Sequence, residues 1–562
     1  MSSAVGEKQM SAFRLVVFTS LPPAKVRHFL WRLSADLPEV EVAGVLYETA
    51  PAPVPLGRRL RRFGKYLRDP VFVRFVAHKA AERATRPAAR ALARLLHAAH
   101  GTKASPTPAL LSLEELAARC EAGGTAFHVT GDINGAEALR FVESLGADLG
   151  VVYGTRILKP HLFDAPRLGS INIHKHKVPD YRGSGAPGLW EMRDGKAEQA
   201  VTVHRVTAEV DAGAVLGERT FPIEPLDTLA SVGLKADLLG IDCLVEVIGA
   251  ASGGGWRETP QPRGGALFKG YQPHQIWAVE RGIRKSRTPY SPRRGRPLFK
   301  LAARSLFYPG LWLKNRRRAR AKSYPVVILF HHVITDRPCF LGMPTDCFLR
   351  QVKFLKRHYR IASLPDALAM LERGEVDAPT AVLTFDDGYA DNFLGLRAVA
   401  EAEDIPITLF VCTRHVAERS EFRHDVERGE RGFVALGWDE LRYLDRHNVT
   451  IGSHTRTHFD CGDSTDETRL RDEIAGSRED LRRELGHDVP YFAFPKGYPE
   501  NMSAPARRIA AEAYPYVFSA FGGANEAPPA PGQIIRRSGL PESPLELELG
   551  LQSVLDFDAR NY

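Results

Sequence analysis

The stretch APTAVLTFDDGYADNF, residues 378–393, decides the fold of the C-terminal half of this chain. It begins as an apolar run typical of a buried strand and ends in two adjacent carboxylates. Two other stretches, YPVVILFHHV at 324–333 and NVTIGSHTRTH at 448–458, repeat this pattern of an apolar strand that ends in polar groups. Strands that deliver Asp or His at their C-terminal ends predict a barrel-like α/β fold with a site at one mouth.

Three side chains of these stretches form a candidate metal site. His454 and His458 are four residues apart and can point to one centre, and Asp387 completes a set of two histidines and one carboxylate. Such a set leaves open positions for water and substrate on a divalent ion. That ion can polarise an amide carbonyl and lower the pKa of a water molecule. Asp386, beside the ion, is then predicted to take the proton of that water.

The motifs TFDDG at 384–388, HTRTH at 454–458 and FAFPKGYP at 492–499 occur together over residues 323–520. In this combination they resemble the polysaccharide deacetylases of the NodB-homology type, carbohydrate esterase family 4. The resemblance implies a distorted (β/α) barrel and an N-acylated sugar as the substrate. It also implies a base and three ligands of zinc or a similar divalent ion, namely Asp386 as the base and Asp387, His454 and His458 as the ligands.

Two features depart from that family. Phe492 stands about where the family often has an arginine, and no histidine follows His487, although the family usually takes its general acid from a late histidine. Either His331 or His332 replaces that acid, or the leaving amine is protonated in another way. Catalysis by this half is therefore a separate prediction from metal binding.

The N-terminal half begins with an apolar run at 15–20, a helical pattern at 22–33 and a second apolar run at 40–48. This order predicts a strand, a helix and a strand, the start of a doubly wound, Rossmann-like α/β sheet. The glycine fingerprint of dinucleotide-binding proteins is missing after the first strand, which argues against a nicotinamide or flavin site. Further strands are predicted at 125–129, 149–153 and 169–173.

Asn172 and His174 are two residues apart at the end of the last of these strands, so both side chains project from one face. Asp211 follows in a DAG turn. Transfer of an acyl group to an amine needs a donor that stabilises negative charge on oxygen, and a base for the amine proton. An amide, an imidazole and a carboxylate can supply these groups.

Residues 145–216 carry N-x-H, P-x-Y-R-G, A-P and D-x-G elements in this order. The stretch resembles the methionyl-tRNA and sugar N-formyltransferase superfamily. The resemblance implies that Asn172, His174 and Asp211 are catalytic, and that the loop around Gly154 and Ile157 contacts 10-formyltetrahydrofolate. The family often shows SLLP after N-x-H, whereas this chain has KHKVP, and there is no room for the extra β-barrel of the tRNA enzyme. A small amino sugar or related amine is therefore expected as the acceptor.

The formal net charge of +9 is concentrated in two segments. Arg58 to Lys103 contain thirteen Lys and Arg against two acids, and Arg281 to Lys322 contain fifteen and no acid. The first predicts a basic helical insertion at about 56–105, and the second mixes aromatic residues with arginines. That mixture suits either the surface of an anionic membrane or a solvated linker helix. Nucleic acid is not expected as a partner, because no recognition module is apparent.

The chain begins without the basic start and apolar stretch of a secretory signal, and no apolar run is long enough for a membrane span. A cytoplasmic enzyme is expected, with peripheral contact at the inner membrane surface as one alternative. The predicted domains are a formyltransferase domain at 1–262, a basic linker at 263–322 and a deacetylase domain at 323–562. The six cysteines lack metal-ligand spacing and are expected to be reduced thiols.

The two halves together predict a bifunctional enzyme that adds a formyl group to an amine and removes an acyl group from one. Two orders are open: the hydrolase unmasks an amine that is then formylated, or a formyl group is a temporary mask that is removed later. In an alternative reading, the formyltransferase is active while the deacetylase-like half is a degenerate metal-binding scaffold.

Overall fold

A computed structural model describes residues 12–49, 66–81, 83–84, 111–286, 308–530, 532–539 and 547. These residues form two compact units, whose main parts lie before Ser286 and after Tyr308. Within the described ranges, no helix has the length and apolar character that crossing a membrane requires. All six cysteines are free thiols.

The first unit is a sheet with helices on both sides. Its strands are β1 (Phe13–Thr19), β2 (Val40–Glu48), β3 (Ala126–Thr130), β4 (Leu149–Val152), β5 (Ser170–His174), β6 (Tyr181–Ser184), β7 (Glu198–Arg205), β8 (Val215–Pro222) and β9 (Ala266–Lys269). Its helices are α1 (Pro23–Asp36), α2 (Leu113–Ala122), α3 (Ala136–Leu145), α4 (Pro160–Phe163), α5 (Leu189–Arg193), α6 (Leu229–Ser252) and α7 (Pro273–Ser286).

The main sheet of this unit has the order β3-β2-β1-β4-β5-β7-β8. The pairings among the first five strands are parallel, whereas β7 pairs antiparallel with both β5 and β8. This arrangement confirms the predicted Rossmann-like sheet. The strand order reverses between β1 and β4, and ligands of such sheets bind at the carboxyl ends of the strands near this point.

The basic insertion predicted at about 56–105 lies mostly outside the described residues. Within the described part, residues 70–81 are helical, as the spacing of apolar residues predicts. Half of the second basic segment, residues 287–307, also falls outside, whereas residues 281–286 and the helix that opens the second unit are described.

The second unit is an open, barrel-like sheet. Its strands are β10 (Val326–His331), β11 (Val333–Ile334), β12 (Gly342–Met343), β13 (Arg360–Ile361), β14 (Thr380–Phe385), β15 (Ile407–Val411), β16 (Val449–Ser453), β17 (Tyr491–Ala493), β18 (Tyr516–Phe518), β19 (Ile534–Ile535) and β20 (Ser538–Gly539). Its helices are α8 (Tyr308–Ala321), α9 (Thr345–His358), α10 (Leu364–Arg373), α11 (Asn392–Ala400), α12 (Thr413–Glu418), α13 (Arg423–Glu427), α14 (Trp438–Asp445), α15 (Glu467–Leu485) and α16 (Ala504–Ala513), with a 3₁₀ turn at Pro499–Asn501.

Eight strands of this unit follow the order β19-β18-β17-β16-β15-β14-β10-β20, and every pairing along this path is parallel. β13 also pairs with β14. In the part of the chain that the structure describes, the end strands β19 and β20 do not pair, so the sheet is a half-barrel. The predicted distorted barrel is confirmed in this open form.

Alternation along the strands divides the core of the second unit into two layers. Val326 and Ile328 of β10 pack in one cluster with Phe410 and Phe518, whereas Val327 and Leu329 pack in another. Both faces of the sheet are therefore covered, which explains why the strands appear in the sequence as continuous apolar runs. The ionisable side chains Asp386, Asp387 and His454 follow directly where these strands end.

Candidate active sites

The first site lies at the carboxyl end of β5 in the first unit. The Asn172 amide donates from Nδ2 to Asp211 Oδ1 over 3.3 Å, and His174 Nδ1 lies 3.5 Å from Asp211 Oδ2. The structure thus brings together the three side chains that the sequence singled out. They can serve as one amide, imidazole and carboxylate constellation.

Asp211 is held in place by the backbone around it. It has a positive φ of 50° in the turn before β8, and its Oδ2 accepts a hydrogen bond of 2.8 Å from the backbone N–H of Gly183. Burial opposes the charged form, but His204 and His174 outweigh it and lower the pKa of Asp211 to about 2. Asp211 is therefore a carboxylate at neutral pH.

His204 is a fourth member of this constellation, and the sequence reasoning missed it. It lies on β7 directly opposite Asn172, with its Nε2 3.1 Å from Asn172 Nδ2 and 3.3 Å from Asp211 Oδ1. Its Nδ1 contacts the Arg205 carbonyl over 2.7 Å, and its Nε2 lies between the amide and the carboxylate. The Asn172 amide is committed to Asp211, and it must release a hydrogen before it can stabilise an oxyanion.

His174 has the tautomer of a base. Its Nε2–H donates to the Tyr181 carbonyl over 2.7 Å, which leaves the lone pair of Nδ1 facing Asp211. Burial lowers the pKa of His174 to about 4, although the Asp211 carboxylate opposes this effect. The neutral ring can accept a proton at Nδ1, and the cation would then have both N–H groups beside acceptors.

Gly154 and Ile157 lie in the loop after β4, and β4 pairs with β5 so that Val152 is level with Asn172. Gly154 has a φ of 68°, and its carbonyl accepts a hydrogen bond of 2.8 Å from Ser20 at the end of β1. Ile157 is 71% exposed. The loop therefore stands at the reversal of strand order and presents an apolar side chain to solvent.

The second site lies at the ends of β14 and β16 in the second unit. Asp387, His454 and His458 each offer one ligand atom, and these three atoms lie within 4.8 Å of one another. The Nε2 atoms of His458 and His454 are 3.2 and 3.5 Å from Asp387 Oδ1. The structure thus groups the three side chains that the sequence predicted as metal ligands.

The state of these side chains fits a divalent cation. Asp387 is fully buried, yet neither carboxylate oxygen has a hydrogen-bond partner among the described residues. A buried carboxylate without such partners is costly unless a cation neutralises it. Nδ1–H of His454 donates to the Ala493 carbonyl over 2.7 Å, and burial lowers the pKa of this ring to about 4. Its Nε2 therefore presents a lone pair in the orientation typical of a metal ligand.

Asp386, the predicted base, forms a bidentate ion pair with Arg537. The guanidinium donates from its two terminal nitrogens to the two carboxylate oxygens over 2.6 and 2.9 Å, and both side chains are buried. Arg537 also donates to Thr384 Oγ1 and the Ser519 carbonyl, and it lies over the ring of Phe410. Burial alone would raise the pKa of Asp386, but the charge of Arg537 outweighs it and lowers that pKa.

Two further histidines stand at the end of β10. The backbone N–H of His332 donates to His331 Nδ1 over 2.6 Å, and the charge of His332 helps to lower the pKa of both Asp386 and Asp387. Of the two candidates for the general acid, His332 has the closer electrostatic link to the site.

His424 of α13 is an aromatic neighbour of the second site that the sequence reasoning missed. Its ring stands 4.9 Å from the His458 ring, and its Nε2 is 2.8 Å from the Tyr389 hydroxyl. That hydroxyl donates to Asp425 Oδ2 over 2.6 Å. The histidine thus packs against a candidate metal ligand while a hydrogen-bonded pair fixes its ring.

Comparison with known proteins finds a matching family model in each unit. Residues 131–248 match the family model described as formyl transferase, and residues 373–514 match the model described as polysaccharide deacetylase. The chain carries a formyltransferase domain and a polysaccharide deacetylase domain. The formyltransferase match contains Asn172, His174 and Asp211, and the deacetylase match contains Asp386 and the three candidate metal ligands.

Among curated proteins, the methionyl-tRNA formyltransferase of Enterococcus faecalis is 33% identical over 138 residues, which are 24% of this chain and 44% of that protein. The chain spans less than half the length of the curated relatives it matches. Among solved structures, IcaB from Ammonifex degensii matches with 19% identity and a TM-score of 0.36, covering 41% of this chain and 97% of IcaB. A sugar N-formyltransferase from Shewanella sp. FDAARGOS_354 matches with 13% identity and a TM-score of 0.29, covering 46% and 76%.

The arginine of the deacetylase site comes from a different part of the chain than its sequence motifs suggested. Phe492 is fully buried in a cluster with Phe494 and Tyr514, so it does not reach Asp386. Arg537 precedes the last strand of the sheet, β20, which pairs with β10. Arg537, from the segment before β20, therefore supplies the cation that the motif around Phe492 lacks.

Replacing Arg537 with methionine is expected to lower the free energy of unfolding of the deacetylase domain by about 3–5 kcal/mol, because Asp386 would keep a buried charge without a partner. The measurement is urea unfolding of the full chain, in which proteolysis of the deacetylase domain reports how much of that domain is unfolded. The double variant Arg537→Met/Asp386→Asn should recover a large part of the loss, since it carries no unpaired charge. Equal stability of the single and double variants would contradict this account of the ion pair.

Proposed function

We propose that this chain is a bifunctional enzyme that formylates an amine in its N-terminal domain and hydrolyses an N-acyl group in its C-terminal domain. The observation that carries the proposal is the convergence of two independent sets of side chains, each inside the matching family region. One set is the constellation of Asn172, His174 and Asp211. The other is the unpaired buried carboxylate of Asp387 between two imidazoles.

In the formyltransferase domain, the proposed donor is 10-formyltetrahydrofolate, held beside the loop of Gly154 and Ile157. The amine nitrogen attacks the formyl carbon, and the bond between that carbon and N10 of the folate breaks. His174 takes the amine proton at Nδ1 and returns it to N10. Asp211 stabilises the transient imidazolium, and Asn172 donates to the oxyanion of the tetrahedral intermediate once it has released one of its present bonds.

In the deacetylase domain, Asp387, His454 and His458 would hold a divalent ion, zinc or a similar metal. Such an ion supplies Lewis-acid polarisation of the acyl carbonyl and lowers the pKa of the attacking water. Asp386 takes the proton of that water while Arg537 fixes the orientation of its carboxylate. The bond between the acyl carbon and nitrogen breaks, and the amine leaves with a proton from His332 or His331.

The proposed substrates are an amino sugar for the first domain and an N-acetyl or N-formyl carbohydrate for the second. Amino-sugar chemistry is favoured because both domains then act on one kind of nitrogen. We also propose a cytoplasmic location for this enzyme. On α8, Trp312 and Leu313 are exposed beside Arg316 and Arg317, which is the composition expected for contact with an anionic membrane surface.

The test is to incubate the full chain with 10-formyltetrahydrofolate and a panel of nucleotide-linked amino sugars, and separately with their N-acetyl and N-formyl forms. Mass spectrometry is expected to show a gain of one formyl group in the first reaction and loss of an acyl group in the second. If the panel gains no formyl group, the proposal for the N-terminal domain fails. The matched controls are Asn172→Ala for the first reaction and Asp386→Asn for the second.

A further inference from the structure

The loop between two candidate metal ligands, His454 and His458, has a strained backbone. Thr455 and His458 have positive φ angles of 66° and 56°, in the left-handed region that residues other than glycine rarely adopt. Such a conformation persists only where the surrounding structure enforces it. The direction in which the His458 ring faces Asp387 therefore depends on contacts that the loop makes with the rest of the domain.

Glu473 of α15 makes three of these contacts. Its Oε2 accepts hydrogen bonds from the backbone N–H groups of Arg456 and Thr457 over 3.1 and 3.0 Å, and its Oε1 accepts from the Thr457 hydroxyl over 2.7 Å. Glu473 is only 6% exposed and forms no ion pair with the described residues. Hydrogen bonds to an ionised acceptor are roughly twice as strong as those between neutral groups. The carboxylate is therefore directed at the loop.

Glu473 belongs to a face of α15 that supports the whole segment carrying the two histidines. Positions 473, 477 and 480 are neighbours on one side of a helix. The Ser477 hydroxyl lies 2.6 Å from the hydroxyl of Ser453, the last residue of β16. Asp480 Oδ2 accepts from Arg456 Nε over 2.8 Å. The helix thus fixes both the end of β16, where His454 follows, and the loop that leads to His458.

We propose that Glu473 is a positioning residue of the metal site, which holds residues 455–457 so that His458 faces Asp387 before an ion binds. This inference rests on the proposed metal site. It adds a residue that lies outside the TFDDG, HTRTH and FAFPKGYP motifs and contributes no ligand atom to the group of three side chains. A preorganised loop spares the ion the cost of ordering it. Loss of the three hydrogen bonds should therefore weaken metal binding.

The experiment measures the zinc affinity of the metal-free full chain by competition with a chelator. Glu473→Leu removes all three hydrogen bonds and is expected to raise the dissociation constant for zinc by about 10-fold to 100-fold, the usual effect of losing support for metal ligands. Glu473→Gln should keep most of the affinity, because its amide oxygen can accept from the two N–H groups and its amide nitrogen can donate to the Thr457 hydroxyl. Glu479→Leu makes the same change at an exposed position of α15 and should bind zinc as the wild type does.

Thermal unfolding with and without zinc separates positioning from a contribution to the fold alone. If Glu473 only stabilised the fold, Glu473→Leu would lower the midpoint of the metal-free protein but leave the increase caused by zinc unchanged. If Glu473 positions the loop, that increase should become smaller, because stabilisation by a ligand depends on its affinity for the folded state.

Wild-type zinc affinity in Glu473→Leu, or equally weak binding in Glu473→Leu and Glu473→Gln, would overturn the inference and leave the proposed metal site intact. If the wild type binds no zinc, the proposed metal site fails and this inference with it. Should Glu473→Leu not fold, Thr457→Val decides the matter. It removes one of the three hydrogen bonds and should weaken zinc binding by about 3-fold to 10-fold, whereas unchanged affinity would contradict the positioning role.

Discussion

Asp387→Asn is expected to abolish stoichiometric metal binding and to lower the rate of acyl release by about 10³-fold or more. The asparagine keeps the shape of the side chain but removes the charge that two imidazoles and a divalent ion require. Metal catalysis supplies several kcal/mol of transition-state stabilisation, and each 1.4 kcal/mol corresponds to a factor of ten. Elemental analysis of the purified protein gives the metal content, and mass spectrometry gives the release of acyl groups.

Thermal unfolding provides a readout that does not depend on activity. Added zinc should raise the midpoint of the wild type, because the ion neutralises a buried carboxylate that faces two imidazoles, and it should leave Asp387→Asn unchanged. Asp377→Asn is the matched control, since Asp377 is an exposed aspartate that pairs with Arg360. If Asp387→Asn retains one tightly bound ion per chain, the three side chains do not form the metal site.

The measurements of metal content and acyl release also separate an active deacetylase from a degenerate scaffold. A scaffold would bind the metal and release no acyl group, whether Asp386 is present or replaced. An enzyme would release acyl groups in the wild type and lose that release in Asp386→Asn, because this carboxylate is the proposed base.

The sequence revealed both folds because their strands are apolar runs that end in polar residues. TAVLTF followed by Asp386 and Asp387, and SINIH with Asn172 and His174, place the chemistry at strand ends where adjacent strands converge. Alternation along an extended chain is enough to predict that such side chains share a face. These parts of each site follow from local patterns.

The residues that were missed come from long-range pairing. His204 reaches Asn172 only because β7 returns antiparallel beside β5, and Arg537 reaches Asp386 across 151 positions of sequence. Neither has a spacing relation to its partner that a single sequence can disclose. The VTVHR run offered one signal for His204, because an imidazole in an apolar strand requires a buried partner. Arg537 had none, since IIRRSG also suits an exposed basic turn.

His174→Ala is expected to lower kcat for formyl transfer by about 10²–10⁴-fold, the usual contribution of a general base. Acyl release should remain unchanged, because the groups of the second site all belong to the other unit. In the wild type, burial lowers the pKa of His174 to about 4, so its base form is lost only as the pH falls through that value. The rate of formyl transfer should therefore show no dependence on His174 between about pH 6 and pH 9.

The pH profile distinguishes a base from a residue that only supports the fold. If His174 takes the amine proton, the low-pH limb assigned to it should vanish in His174→Ala, while the small remaining rate should follow only the ionisation of the acceptor amine. A structural role would instead scale the whole profile without changing its shape. Loss of both activities in His174→Ala would contradict two independent sites.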